Sequence, residues 1–154
     1  RLSITSFLRG DGGFGGPANS NSTPHQLPQR PADIVTRRVT SHRTALIYRL
    51  SGDYNPLHVD PELAKAAGFP QPILHGLCTF GISGLALIAS CCPDDASRLS
   101  AMKARFTAPV FPGETIETEI WTEENGVSFR SRVVERDLVV LDNGSARVLL
   151  GVDS

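Results

Sequence analysis

Two residues able to move protons, Asp53 and His58, lie five positions apart in the stretch YRLSGDYNPLHVD, residues 48–60. On a helix that spacing gives a poor shared face, because facing neighbours sit three or four apart. The surrounding residues favour a turn instead, with Gly52 ahead of the aspartate and Asn55-Pro56 behind it. Pro56 also biases Asn55 away from the helical region. The stretch reads as a stiffened loop whose fold-back brings a carboxylate and an imidazole together, which suits general acid–base work. The plainer alternative is that Asp53 caps a turn and His58 bonds only to backbone.

A second feature favours the chemical reading. In PILHGLCTFG, residues 72–81, a Pro-bounded loop delivers Gly76 to the start of an apolar helix. The first amides of a helix lack internal partners and sit at its positive end. A glycine there lets a ligand approach closely, so a carbonyl oxygen gaining negative charge would find a donor.

Other motifs carry less. Gly10 to Gly15 matches G-x-G-x-x-G, but Pro17 and an Asn/Ser run follow where a nucleotide site needs a helix. Arg9-Gly10-Asp11 reads as a chance match to an adhesion tripeptide. Gly81-Ile82-Ser83-Gly84 misses the nucleophile elbow by one position, which leaves Ser83 a helix-packing role. His58 and His75 could ligate a metal, yet no His, Cys or acidic set has convincing spacing, so no metal is expected. Three cysteines, two of them adjacent (Cys91-Cys92), form no C-x-x-C pair and suggest a reducing compartment.

The elements that must position these residues follow the hydropathy pattern. Residues 2–8 alternate like a strand, and a Gly/Pro/Ser/Asn-rich stretch follows, long enough to suggest a boundary. Residues 33–40 read as a strand and 42–52 as a short helix running into the loop. Asp60-Pro61 looks like an N-cap with Pro at the first helical position, and that helix should stop at Gly68. Residues 75–92 form the longest apolar stretch, too rich in Gly and Ala for a strand. It predicts a helix buried nearly all round, with Gly81, Ser83, Gly84 and Ala86 allowing close packing on a sheet. Four strands should follow at 100–108, 114–124, 127–136 and 138–149. Turn signals stand at Pro112-Gly113, Asn125-Gly126 and around Asp137. The result is α+β, one central helix wrapped by a mainly antiparallel sheet.

With 154 residues, 40% apolar and 20% charged, the chain has the composition of a globular domain. A net charge of −1 gives no bulk attraction to nucleic acid or anionic lipid, so neither is an expected partner. No apolar run approaches the roughly 20 residues that span a bilayer.

The segment YRLSGDYNPLHVDPELAKAAGFPQPILHGLCTFG resembles the signature of the MaoC-like, (R)-specific 2-enoyl-CoA hydratases, which have the hot-dog fold. The resemblance runs from about residue 33 to the C-terminal end, through KARFTAPVFPGETIETEIW at 103–121. It is to the catalytic half of the eukaryotic peroxisomal type, such as the hydratase part of multifunctional enzyme type 2. It implies that Asp53 and His58 are the catalytic pair and that Gly76 donates its amide to the thioester oxygen. It implies that Gly52, Tyr54, Asn55, Pro56, Leu57 and Phe106 line the substrate site, Asn55 helping to fix the aspartate and a water. The implied reaction hydrates trans-2-enoyl-CoA to (3R)-3-hydroxyacyl-CoA in fatty acid β-oxidation, with no cofactor beyond the CoA of the substrate. The alternatives are a hot-dog acyl-CoA thioesterase and a non-catalytic acyl-CoA-binding domain.

In the eukaryotic type a degenerate hot-dog half precedes the catalytic one and shelters the acyl tail. Residues 1–16 resemble its end, so residues 1–32 are expected to be a remnant strand and linker, and 33–154 the catalytic domain. The expected partner is a second copy, as a homodimer, or that missing half. The resemblance implies a peroxisomal location. The final tripeptide, Val152-Asp153-Ser154, is not an import address of the Ser-Lys-Leu kind, which leaves the cytoplasm as the other expectation.

Overall fold

The computed structural model describes residues 2–5, 23–124 and 126–149. Strand β1 (Ile34–Val39) leads to a short helix α1 (Thr44–Tyr48), which tightens into a 3-10 turn at Arg49–Ser51. A second 3-10 turn, Pro56–His58, precedes α2 (Pro61–Ala66). The long helix α3 (Gly76–Cys91) follows, then strands β2 (Leu99–Phe106), β3 (Thr115–Glu123), β4 (Gly126–Val133) and β5 (Leu138–Val148). The five strands form one antiparallel sheet in the order β1-β3-β4-β5-β2. This is the α+β arrangement expected from the hydropathy pattern, with each element within a few residues of its expected place.

Helix α3 packs on the sheet because its small residues permit a close approach. Gly84 lies so near β2 that a Cβ there would stand 3.3 Å from the Met102 sulfur. Ser83 Oγ donates to Thr79 O at 3.2 Å and bonds Ser131 Oγ of β4 at 2.8 Å, and Ser131 also meets Thr118 Oγ1 of β3 at 3.0 Å. These buried hydroxyls satisfy one another, which matters because an unpaired one would cost about 1–3 kcal/mol. Around them, Leu87 packs with Ile120, Phe129 and Leu141, while Cys78, Leu74 and Ala45 pack with Ile116, Val133 and Val140. The second cluster ties α1 and the start of α3 to the sheet, and so fixes the ground on which the Asp53 loop stands.

The outer face of the sheet is charged. Glu117 receives Arg37 at 2.7 Å from β1, and Arg130 on β4 pairs with Glu119 on β3 at 2.7 Å. Alternation along β3 and β4 thus separates a dry face toward α3 from a polar face, as a half-buried antiparallel sheet requires.

Two expectations change. Residues 2–5 lie in no strand, and Leu2 and Ile4 are exposed; residues 6–8 and the glycine pattern at 10–15 lie outside the described residues. A strand needs a partner edge for its backbone groups, and none of the five strands pairs with residues 2–5. Nor is α3 buried nearly all round, because Leu77, Gly81, Leu85 and Ala89 form an exposed stripe at helical spacing. One sheet covers one side of a helix, and among the described residues nothing covers the stripe on the other.

Candidate functional site

The loop after α1 is shaped by a few local bonds. Gly52 ends the first 3-10 turn at φ 110°, a left-handed conformation open to glycine and costly for other residues. The next peptide aims Asp53 outward, and the Asn55 amide reaches back to Asp53 Oδ1 at 3.3 Å. Asn55 Oδ1 in turn accepts the Leu57 amide at 3.0 Å and caps the Pro56–His58 turn, with Pro56 at its first position. Asn55 therefore holds both the carboxylate, through its backbone, and the turn that delivers His58, through its side chain.

His58 is nearly buried, at 9% exposure, and its Nδ1 donates to the Ile73 carbonyl at 2.8 Å. A carbonyl can only accept, so Nδ1 carries the proton and Nε2 is left with its lone pair for chemistry. Asp60 then caps α2, its Oδ1 accepting the Glu62 amide at 2.9 Å, and α2 anchors the far end of the loop.

His75 completes a cluster. One ligand atom each from Asp53, His58 and His75 falls within 4.8 Å of the others. The His75 ring stacks on His58 with centroids 3.7 Å apart and planes inclined by 26°. Such a set by distance alone could hold a metal, and residue spacing gave no sign of it. The stacking argues for another use. An imidazole lone pair lies in the ring plane, so two stacked rings direct their lone pairs side by side rather than at one ion. Burial holds His75 below the ordinary histidine range, which favours its neutral form.

Gly76 is the first residue of α3, next to His75, and among the described residues no side chain caps that helix start. The internal bonds begin at the Cys78 and Thr79 amides, both donating to His75 O at 3.0 and 3.2 Å. The amide of Gly76 precedes that ladder. Phe106, the last residue of β2, is 49% exposed and borders it: a Cβ at Gly76 would lie 3.3 Å from the phenyl Cε1.

The remaining expected residues are on the loop but differ in what they face. Tyr54 is exposed with its ring under Arg49, whose guanidinium carbon is 5.5 Å from the ring centroid and whose Nη2 donates to Tyr54 O at 3.2 Å. Pro56 is exposed and Leu57 half-buried. A hollow of about 250 Å³ opens beside His58, walled by Leu46, Val59, Pro72 and Pro112 together with His42 and Gln71. The site thus combines a carboxylate–imidazole pair, a stacked second histidine, a helix-start amide ahead of the internal ladder and a hollow.

Comparison with known proteins bears on what such a site belongs to. Residues 23–143 match the family described as MaoC like domain. The chain belongs to the MaoC-like domain family. Over 139 residues, 89% of the chain, this MaoC-like domain is 48% identical to peroxisomal multifunctional enzyme type 2 of Mus musculus, covering 19% of it. It is also 48% identical over 143 residues to probable enoyl-CoA hydratase 2 of Dictyostelium discoideum, covering 91% of the chain and 49% of that protein. Among solved structures, it superposes on a MaoC-like dehydratase from Phytophthora capsici with a TM-score of 0.88 and 43% identity, covering 94% of the chain and 51% of that one. The MaoC-like domain spans about half the length of these relatives or less, and its sheet-and-helix arrangement is the hot-dog fold expected from its sequence.

Proposed function

We propose that this MaoC-like domain catalyses the reversible hydration of a trans-2-enoyl-CoA to the (3R)-3-hydroxyacyl-CoA. The observation that carries the reading is the convergence of the Asp53 carboxylate and the His58 imidazole, within 4.8 Å, close to the start of α3. The names of the relatives, enoyl-CoA hydratase 2 and peroxisomal multifunctional enzyme type 2, point to the same chemistry and to fatty acid β-oxidation in the peroxisome.

In this scheme a water molecule sits between Asp53 and His58. One of the pair takes a proton from it while the oxygen attacks C3 of the enoyl group, and His58 Nε2 has the free lone pair for that step. The C2–C3 π electrons move onto the thioester oxygen, where the Gly76 amide stabilises the developing enolate. A proton is then returned to C2 from the same face, which leaves both residues as they began. A donor aimed at developing charge is worth roughly 10²–10³ in rate. The thioester carbonyl itself makes C3 electrophilic, so the scheme calls on no metal or redox cofactor. The hollow beside His58 would take the acyl group, and Phe106 would flank the thioester at Gly76.

Incubation with crotonyl-CoA tests this directly. Loss of the enoyl absorbance without free thiol, and a 3R product on chiral analysis, is the expected result. Thiol release would indicate a thioesterase, absence of turnover an acyl-CoA-binding domain, and a 3S product a different water face.

A further inference from the structure

His75 takes no chemical step in this scheme, yet it is 1% exposed and touches every moving part of the site. Its Nε2 lies 3.1 Å from the backbone oxygen of Asp53, its ring stacks on His58, and it also meets the ring of Tyr48 of α1, tilted by 47° at a centroid distance of 4.8 Å. It is also the N-cap residue of α3, one position before Gly76. One side chain therefore joins the aspartate's peptide, the catalytic imidazole's ring and the helix start that carries the amide donor.

The hydrogen bonding dictates its form. Asp53 O can only accept, so Nε2 of His75 carries the proton. Nδ1 is buried without a partner, the single such side-chain atom among the described residues. As a lone pair it is tolerated, whereas an imidazolium would bury a second N–H with no acceptor, directly against His58. The groups facing it are Asp53 and His58 from the loop and Tyr48 and Arg49 from α1 and the turn after it. Asp53 favours a charged His75, while burial, His58 and Arg49 oppose it, with burial the largest influence.

We infer that His75 is a positioning residue held as the neutral Nε2–H tautomer, which tethers the Asp53 peptide and serves as an uncharged plate for His58. The inference rests on the hydratase reading for its kinetic part and on the hydrogen-bond geometry alone for the tautomer. A charged neighbour at 3.7 Å would oppose any proton that His58 accepts during turnover. A neutral, polarisable ring leaves that proton free to come and go. The bond to Asp53 O sets where the carboxylate stands over the pair, and misplacement of such a group by about 1 Å can cost 10²-fold in rate.

Two measurements decide it. Imidazole nitrogen NMR on the unmodified chain without substrate should show His75 as the Nε2–H tautomer, with a midpoint below the ordinary histidine value of about 6.5. An Nδ1–H tautomer, or a midpoint at or above that value, would overturn the inference whether or not the chain hydrates crotonyl-CoA. In the kinetic arm, His75→Phe keeps the ring and loses the tether, while His75→Gln keeps a donor and loses the ring. The expected result for His75→Phe is a kcat about 10²-fold lower with KM little changed, partly rescued in His75→Gln. Parent-like kcat in His75→Phe, or losses in both variants that follow the folded fraction by circular dichroism, would reduce His75 to a packing residue. A parent chain inert toward crotonyl-CoA would defeat the hydratase reading and leave the tautomer result standing.

Discussion

Asp53 and His58 carry the proton chemistry of the proposed reaction, and their surroundings divide the labour. Asp53 is exposed, and among the described residues its carboxylate bonds only the Asn55 amide, whereas His58 is anchored through Nδ1 to Ile73 O. Replacing Asp53 by Asn or His58 by Gln should leave melting behaviour close to the parent and reduce crotonyl-CoA hydration by about 10²–10⁴. Either variant keeping more than about a tenth of parent activity would remove that residue from the chemistry. Gly76 makes a different kind of demand. A methyl group there meets the Phe106 ring at 3.3 Å, and that ring is half exposed and can give way. Gly76→Ala should therefore fold and lose activity through crowding of the carbonyl site, and Phe106→Ala added to it should recover part of the loss. A double variant no better than Gly76→Ala would place the damage in the helix start rather than in the contact with Phe106.

The strands and helices limit what the residues can do, and their tightest tolerance is between β4 and β5. Gly144 faces Phe129 across that pair, and a Cβ at Gly144 would stand 2.3 Å from the Phe129 carbonyl oxygen and 2.7 Å from its ring. Backbone cannot retreat as the tip of a side chain can. Gly144→Ala should destabilise by about 1–3 kcal/mol, as overpacking does, with a matching fall in Tm by scanning calorimetry. An unchanged Tm would mean that the register shift next to this pair absorbs the methyl. Helix α3 was legible in outline from its apolar length and small residues, and Ser83 and Gly84 do make the close approach to the sheet. Gly81 does not: a Cβ added there would meet no neighbouring element within 4 Å, on the exposed stripe. Hydropathy reports that a position prefers burial, and it is silent on whether this chain supplies the cover.

At the scale of the whole molecule, that stripe joins other uncovered apolar residues: Leu46, Ile47 and Leu50 around α1, Tyr54 on the loop, Leu77 and Leu85 on α3. The first four belong to the segment that carries the Asp53 loop, and Leu77 and Leu85 to the helix that begins at Gly76. Uncovered apolar surface of this extent marks interaction sites, and two-fold pairing is the commonest solution. The chain should associate through this face, as a homodimer or with a second hot-dog half. Light scattering at tens of micromolar checks this, and a clean monomer would contradict it. Stability should also respond to acid. His75 is held below its unfolded value, so its contribution is present above about pH 6.5 and is lost as pH falls from there toward its folded value. Asp33, held below the usual carboxylate range by Arg30 and the Thr122 amide, adds a loss that begins only below about pH 4. Melting temperatures between pH 7 and pH 5 should therefore fall with pH in the parent and less steeply in His75→Phe. Equal slopes would show that His75 does not hold its neutral form in the fold.

The sequence by itself determined the loop, the helix that follows it and the strand order along the chain, because each is set by short-range rules. Asn55-Pro56 and Gly52 make the turn, Asp60-Pro61 starts α2, and alternation marks the strands. Asp53, His58 and Gly76 could be singled out for the same reason, since two lie in one turn and the third at a helix start. What only the tertiary structure decided is how those pieces face one another. His75 stands 17 residues after His58, and no periodicity relates them; the rings meet because α2 and the Pro-bounded loop return the chain to α1. The stacking, the tether to Asp53 and the orphaned Nδ1 are long-range contacts, and contacts of that kind leave no repeat in the sequence that a local reading can detect.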